Sequence, residues 1–340
     1  MDPEKLARLR ALAEKKDLKD KELQAYLDAK NRDGSRRRAP FGGIATFFRT
    51  DFNESFEDLD IALIGLPFDL GTSNRPGARF GPTQVRELSV MAAGPQHHVS
   101  GIIPGRLAKF ADVGDVPVPN SWDLEKATMD IHAYYEKVYA ANTIPLTVGG
   151  DHSISYPILK ALGTQEPLGL IHIDAHADTA GELGNTRFHH GGPFRNACLD
   201  GALDPDRTVQ IGIRGRAEWL WDFSYDSGMR VIHIEEFYRM GLDAVIAEAR
   251  KVVGDGPTYI SFDIDSIDPA FAPGTGTPEV GGLLPREVQS MFRGFQGLNL
   301  VGADVVEVSP PFDQSGGTAL VGATMLWELL CILAHAHSSA

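Results

Sequence analysis

The chain has 340 residues, a net charge of −14 and two cysteines, Cys198 and Cys331. The acidic balance argues against nucleic-acid binding, and two cysteines make no disulfide framework and fit a reducing, cytoplasmic setting. The charged start, Met1–Arg10, lacks the form of a signal peptide, and no apolar run is expected to reach the length that crosses a bilayer.

Residues 1–38 read as a charged helical arm, and 1–50 as that arm with a connecting segment, ahead of a single body at 51–340. Residues 1–40 hold 12 Lys or Arg and 8 Asp or Glu, against 20 and 38 in the remainder. Leu6, Leu9, Leu12 and Ala13 make a narrow helical stripe, and Leu23, Tyr26 and Leu27 suggest a second helix. Arg36-Arg37-Arg38 and Pro40 close the arm, and the basic cluster is expected to pack on the acidic body or on a neighbouring subunit. After Asp51, strands are expected at Ile61–Gly65, Pro145–Val148, Gly169–Asp174, Val209–Ile213, Val231–Ile234, Thr258–Asp265 and Leu300–Val308. They lack polar alternation, as strands buried on both faces do. Between them fall helices: one opening near Pro82, one capped by Ser121 or Asp123, and others over 242–253 and 285–296. Alternation of this kind predicts an α/β fold with a largely parallel sheet.

Ligands of such sheets bind beyond the carboxyl ends of the strands, and three polar clusters stand there. Gly149-Gly150-Asp151-His152-Ser153 follows one strand and Asp174-Ala175-His176-Ala177-Asp178 another. In the third, Ser261-Phe262-Asp263-Ile264-Asp265, alternation is expected to aim both carboxylates one way. Together they place two imidazoles and four carboxylates at one sheet edge, an arrangement heavily repulsive without a cation. Mixed oxygen and nitrogen donors suit Mn, Ni, Co or Zn, and the absence of cysteine argues against structural zinc. Two metals would neutralise the carboxylates and share a hydroxide for hydrolysis. A calcium loop at Asp263–Gly274 fails at its sixth and twelfth positions. The glycines at 274 and 276 open no helix, as a dinucleotide fingerprint would require.

With Pro273-Gly274-Thr275-Gly276-Thr277-Pro278, these motifs resemble the ureohydrolase family of arginases, agmatinases and guanidinobutyrases, over about Asp58 to Leu333. Gly71–Pro82 and Asp304-Val-Val-Glu-Val-Ser-Pro-Pro311 look closest to the agmatinase branch. The resemblance implies an arginase-like three-layer α-β-α fold and two divalent metal ions, Mn2+ or Ni2+. One metal would take His152, Asp174, Asp178 and Asp263; the other would take His176, Asp174, Asp263 and Asp265, with Asp174 and Asp263 bridging. It further implies that Asp178 holds the attacking hydroxide, that His190 carries a proton to the leaving amine, and that Glu307 grips the guanidinium. Relatives are commonly trimers or hexamers, so a homo-oligomer is expected, with a related subunit as an option.

The substrate loops depart from the agmatinase pattern. Gly192 stands where agmatinases carry Thr, and Gln314-Ser315-Gly316-Gly317 replaces His-Ala-Glu-Ile. His189 is expected to face solvent. Glu182 reads as a solvated loop charge, or as a partner for a distal ammonium. Agmatine, 4-guanidinobutyrate, and guanidine or an alkylated guanidine or biguanide such as metformin are the substrate candidates. The glycines at 316–317 favour a short or N-alkylated one. A non-catalytic subunit of a mixed oligomer and a deacetylase on a similar fold are the competing classes.

Overall fold

Eight segments form the strands of one sheet: β1 Ile61–Gly65, β2 Phe110–Asp115, β3 Ile144–Val148, β4 Leu168–Ile173, β5 Leu203–Ile213, β6 Arg230–His233, β7 Thr258–Asp263 and β8 Leu300–Val306. This computed structural model describes residues 1–14, 18–32, 42–215 and 218–339. Every neighbouring pair is parallel, in the order β2-β1-β3-β8-β7-β4-β5-β6. Strands β1, β4 and β7 are buried from end to end, because helices cover both faces of a parallel sheet. Ile61 and Leu63 join one core cluster and Ala62 and Ile64 the other, as a period of two requires.

Strand β2 is absent from the sequence reading. Its segment, Phe-Ala-Asp-Val-Gly-Asp, has the composition of a turn, and Gly114 sits at φ 86°. Tertiary contacts hold it instead: buried Asp112 accepts Arg86 Nε at 2.9 Å and the Phe47 N–H at 2.9 Å.

Among the helices, Leu124–Ala140 begins at Asp123, whose carboxylate accepts the Lys126 N–H at 3.2 Å, which satisfies one orphan donor. Pro82 sits in the first turn of Gly81–Ala92, and the other two expected helices are Leu242–Val253 and Pro285–Gly294. The arm holds helices Pro3–Glu14 and Lys21–Arg32. The first buries nothing, whereas the second docks through Glu22 on Arg106 at 2.9 Å and Asp20 on Gln96 at 3.0 Å. Arg36-Arg37-Arg38 and Pro40 lie outside the described residues.

The expectation about bilayer-length runs is corrected by the 23-residue helix Gly317–Ser339, in which an 18-residue stretch reaches a mean hydropathy of 1.7. Since 78% of that apolar stretch is buried inside the protein, it reads as a core helix, packed on β8, on β3 and on helix Gly81–Ala92.

The order β3-β8-β7-β4 makes four consecutive neighbours. Their carboxyl ends lie side by side and deliver residues 149–153, 307, 263–265 and 174–178 to one edge, where ligands of such sheets bind.

Candidate metal centre and active site

Local backbone, rather than regular strand alternation, aims the acidic side chains. β7 ends at Asp263, and Asp265 stands in a tight turn at 264–266, where the Asp265 N–H donates to Asp263 Oδ1 at 2.8 Å. Asp174 lies just past β4, and its Oδ1 accepts the His176 N–H at 2.6 Å. Asp178 and Glu307 both adopt left-handed backbone, at φ 51° and 63°. A non-glycine residue held there costs on the order of 1–3 kcal/mol, a strain that collects at functional sites.

The first group converges on one atom. His152 Nδ1 lies 3.1 Å from Asp174, 3.0 Å from Asp178 and 3.2 Å from Asp263, is buried and makes no hydrogen bond. In the second group His176 Nδ1 lies 3.1 Å from Asp265 and 3.5 Å from Asp174. Asp174 therefore serves both, with Oδ2 toward His152 and Oδ1 toward His176. Asp263 joins the first through Oδ2.

The electrostatics of the group suits a cation. Burial and the neighbouring Asp265 and Asp174 charges push Asp263 well above the usual carboxylate range. Burial works against charge on His152 and His176, yet the surrounding carboxylates win and raise both well above the usual imidazole value. Protons thus gather where divalent ions would bind, and the nitrogen and oxygen donors suit such ions. The residues present fit a metal pair.

Beneath this layer runs a buried polar row. Thr147, Asp304, Ser261, His172 and Gln210 are register partners across β3, β8, β7, β4 and β5, and all are fully buried. Ser261 Oγ donates to Asp304 at 2.7 Å and so accepts from His152 Nε2–H at 2.8 Å, which leaves Nδ1 as the lone-pair nitrogen facing the carboxylates. Asp304 also accepts Ser155 at 2.7 Å and Tyr259 at 3.0 Å. Gln210 Nε2 donates to the Ala177 carbonyl at 2.6 Å and to His172 Nδ1 at 3.0 Å, so His172 Nε2–H points at Asp174, 2.7 Å away. His172 lies close enough to His152 and Asp174 to share an ion with them, but both its ring nitrogens are engaged and it acts as a buttress. Ser261 and Asp304 stand inside the motifs quoted above without a role of their own, and Thr147, His172 and Gln210 lie outside them. The signal of the row is a polar residue inside otherwise apolar strands, at matching distance from each strand end.

His190 and Glu307 form a second unit. His190 Nδ1 lies 2.9 Å from Glu307 Oε1, which also accepts the His152 N–H at 3.0 Å. On the other side of the ring, Nε2 meets Ser73 Oγ at 2.7 Å and the Ser73 N–H at 3.2 Å. Burial alone would lower the His190 pKa, but the Glu307 hydrogen bond and charge, helped by Asp151 and Asp178, raise it to about 9. Glu307 Oε2 is buried and unpartnered, 3.6 Å from where a Cβ on Gly276 would stand. Asp151 fixes the segment that carries Ser73, accepting the Gly71 N–H at 2.8 Å. Burial and the Glu307 charge push its carboxyl up to about 6.

These elements open on a cavity of about 560 Å3 lined by Ser73, Arg75, Asp178, His190, Asp263 and Asp265, with Leu183, Trp219 and Trp221 on its apolar side. Three expectations about the loops fare differently. His189 is buried, not exposed, with Nε2 2.7 Å from the Gly181 carbonyl. It fills the space beside Gly192, where an added Cβ would stand 2.9 Å from the Ala180 carbonyl and 3.2 Å from the His189 ring. Gly316 faces Leu88 and Gly317 opens the last helix, and neither lines the cavity. The glycines therefore do not argue for a short substrate. Glu182 is exposed, as a solvated loop charge should be.

A parallel α/β sheet with paired histidine–carboxylate clusters at its carboxyl edge defines a binuclear metal-dependent hydrolase. Residues 59–331 match the model of the arginase family. Over 297 residues the chain is 54% identical to guanidinopropionase from Pseudomonas aeruginosa, covering 86% of this chain and 93% of that protein. Over 294 residues it is 48% identical to mitochondrial guanidino acid hydrolase from Homo sapiens, covering 86% and 83%. The structure of proclavaminate amidino hydrolase from Streptomyces clavuligerus superposes with a TM-score of 0.84 at 38% identity, covering 88% of this chain and all of the other. The chain belongs to the arginase family. It is an enzyme of the amidinohydrolase class, which acts on C–N bonds, and that family uses a pair of divalent metal ions.

Proposed function

We propose that this enzyme hydrolyses a short ω-guanidino acid to urea and an amino acid, with two Mn2+ or Ni2+ ions. The ions would be held by His152, Asp174, Asp178 and Asp263 and by His176, Asp174, Asp263 and Asp265. The observation that carries the reaction type is His152 Nδ1, a buried nitrogen without a hydrogen-bond partner and with three carboxylates within 3.2 Å. Guanidino acids are favoured because the relatives named above carry guanidinopropionase and guanidino acid hydrolase as names.

When bound, the metal pair supplies Lewis acidity and makes a water-derived nucleophile accessible near neutral pH. The chain's own groups do the rest. Glu307 Oε2, free of other partners, receives guanidinium N–H donors, a charge-assisted contact. Asp178 orients the attacking water. His190 hands a proton from Nε2 to the departing nitrogen, so that the C–N bond breaks to a neutral amine and urea.

A second reading, an N-alkylated guanidine or biguanide such as metformin, draws support from the apolar wall of Leu183, Trp219 and Trp221. The test is urea release from guanidinopropionate, guanidinobutyrate, agmatine, arginine, guanidine and metformin, by protein prepared with manganese and, separately, with nickel. The highest kcat/KM is expected on a guanidino acid. Preference for metformin would select the second reading, and silence across the panel at full metal content would point to a non-catalytic subunit.

A further inference from the structure

The cavity wall contains two arginines in very different states. Arg214 uses all five of its N–H donors on backbone carbonyls, those of Gly212, Asp265, Ser266 and, twice, Glu279, at 2.7–3.2 Å. It is a brace with nothing left to offer a ligand. Arg75 also lines the cavity, yet among the described residues its guanidinium makes no hydrogen bond or ion pair. Its carbon is held over the Phe312 ring, 3.9 Å from the centroid. A guanidinium resting on an aromatic face keeps its N–H edge available, and that edge matches the two oxygens of a carboxylate.

The backbone of Arg75 and the carboxylate of Glu307 border the same glycine. The vacant side of Gly276 is bordered by the Arg75 carbonyl, 3.5 Å from an ideal Cβ, and by Glu307 Oε2, 3.6 Å from it. Arg75, whose guanidinium lines the cavity, thus springs from the backbone that borders the glycine beside the unpartnered Glu307 oxygen. Glu279, the wall's remaining acid outside the metal groups, lies 3.8 Å from His176.

We propose that Arg75, steadied by Phe312, binds the carboxylate of the substrate while Glu307 binds its guanidinium, which makes Arg75 the residue that selects ω-guanidino acids over guanidines without a carboxylate. This rests on the reading of the chain as a guanidino hydrolase and adds to it the residue that recognises the tail.

The experiment compares guanidinopropionate with n-propylguanidine, a substrate of similar reach without the carboxylate, on metal-loaded wild type, Arg75→Met and Arg75→Lys. The readout is the ratio of the two kcat/KM values. The wild-type ratio is expected well above one. It should fall roughly ten- to hundredfold in Arg75→Met, the range of a lost charge-assisted hydrogen bond, chiefly through KM. Arg75→Lys, which keeps the charge but loses the fork, should fall in between and serves if the Met variant fails to fold. A wild-type ratio near one, or an unchanged ratio in a folded variant, overturns the assignment of Arg75 while urea release still stands. No urea from either compound in wild type would overturn the underlying hydrolase reading instead.

Discussion

Ser73 Oγ sits 2.7 Å from His190 Nε2, across 117 residues of chain. The other ring nitrogen is committed to Glu307, so Nε2 is the end of His190 left for proton transfer, and Ser73 stands at it. Ser73→Ala retains the backbone N–H contact at 3.2 Å and loses the hydroxyl. A fall in kcat of about tenfold with little change in KM is expected, against the roughly 10²–10⁴-fold loss for removal of a general acid in His190→Asn. Steady-state urea release across pH measures both. A loss confined to KM would remove Ser73 from proton transfer.

Ser261 supplies the acceptor that fixes the His152 ring. In Ser261→Ala, His152 Nε2–H faces a methyl group, and the ring loses both its orientation and its tautomer preference. Supporting residues of this kind alter metal affinity by about 10–100-fold, so weaker binding of Mn2+ is expected in direct calorimetric titration. Equal affinity in variant and wild type would reduce the Ser261–Asp304 pair to a packing feature.

Removal of the metals should lower the melting temperature. Stripped of cations, Asp263 is pushed well above its ordinary range by burial, Asp265 and Asp174, and the folded state carries that repulsion alone. A ligand bound only by the folded state adds about 2.7 kcal/mol at one hundred times its Kd. Calorimetry with and without a chelator checks this, and identical melting curves would uncouple metal from folding.

Away from the site, His97 is buried 2.9 Å from Glu328, which also accepts Gln289 at 3.0 Å and Arg293 Nε at 3.0 Å. Burial, with the Arg293 and His98 charges, lowers the His97 pKa despite the pull of Glu328. The unfolded chain therefore takes up this proton first on acidification. Stability from a neutral His97 is complete above its unfolded pKa of about 6.5 and is lost as pH falls from there through the lower folded value. Between pH 7 and pH 5 (about the range in which histidine titrates), wild type should lose more melting temperature than His97→Gln. Parallel losses would refute the assignment.

Much of the site is legible in the sequence because its parts are local. His152, Asp174, His176, Asp178, Asp263 and Asp265 lie at or just beyond the ends of β3, β4 and β7, and spacings of two residues mark them. What the sequence hides is whatever depends on pairing between distant segments. His172 and Ser261 look like polar interruptions of apolar strands until register places them side by side. β2 is invisible because Arg86 and Phe47, not its own residues, stabilise Asp112. Gly316 and Gly317 stand close in sequence to the substrate loops but turn elsewhere, since a short sequence interval says nothing about which side of the backbone faces the cavity.

The apolar helix Gly317–Ser339 has a consequence for how the molecule is made. Synthesis runs from the N-terminus, so all eight strands exist before this helix does. Until then, the ground beneath it on β3, β8 and helix Gly81–Ala92 stays bare. A ribosome stalled short of residue 317 would hold a nearly finished enzyme with an adhesive surface, dependent on chaperones to keep it from its neighbours.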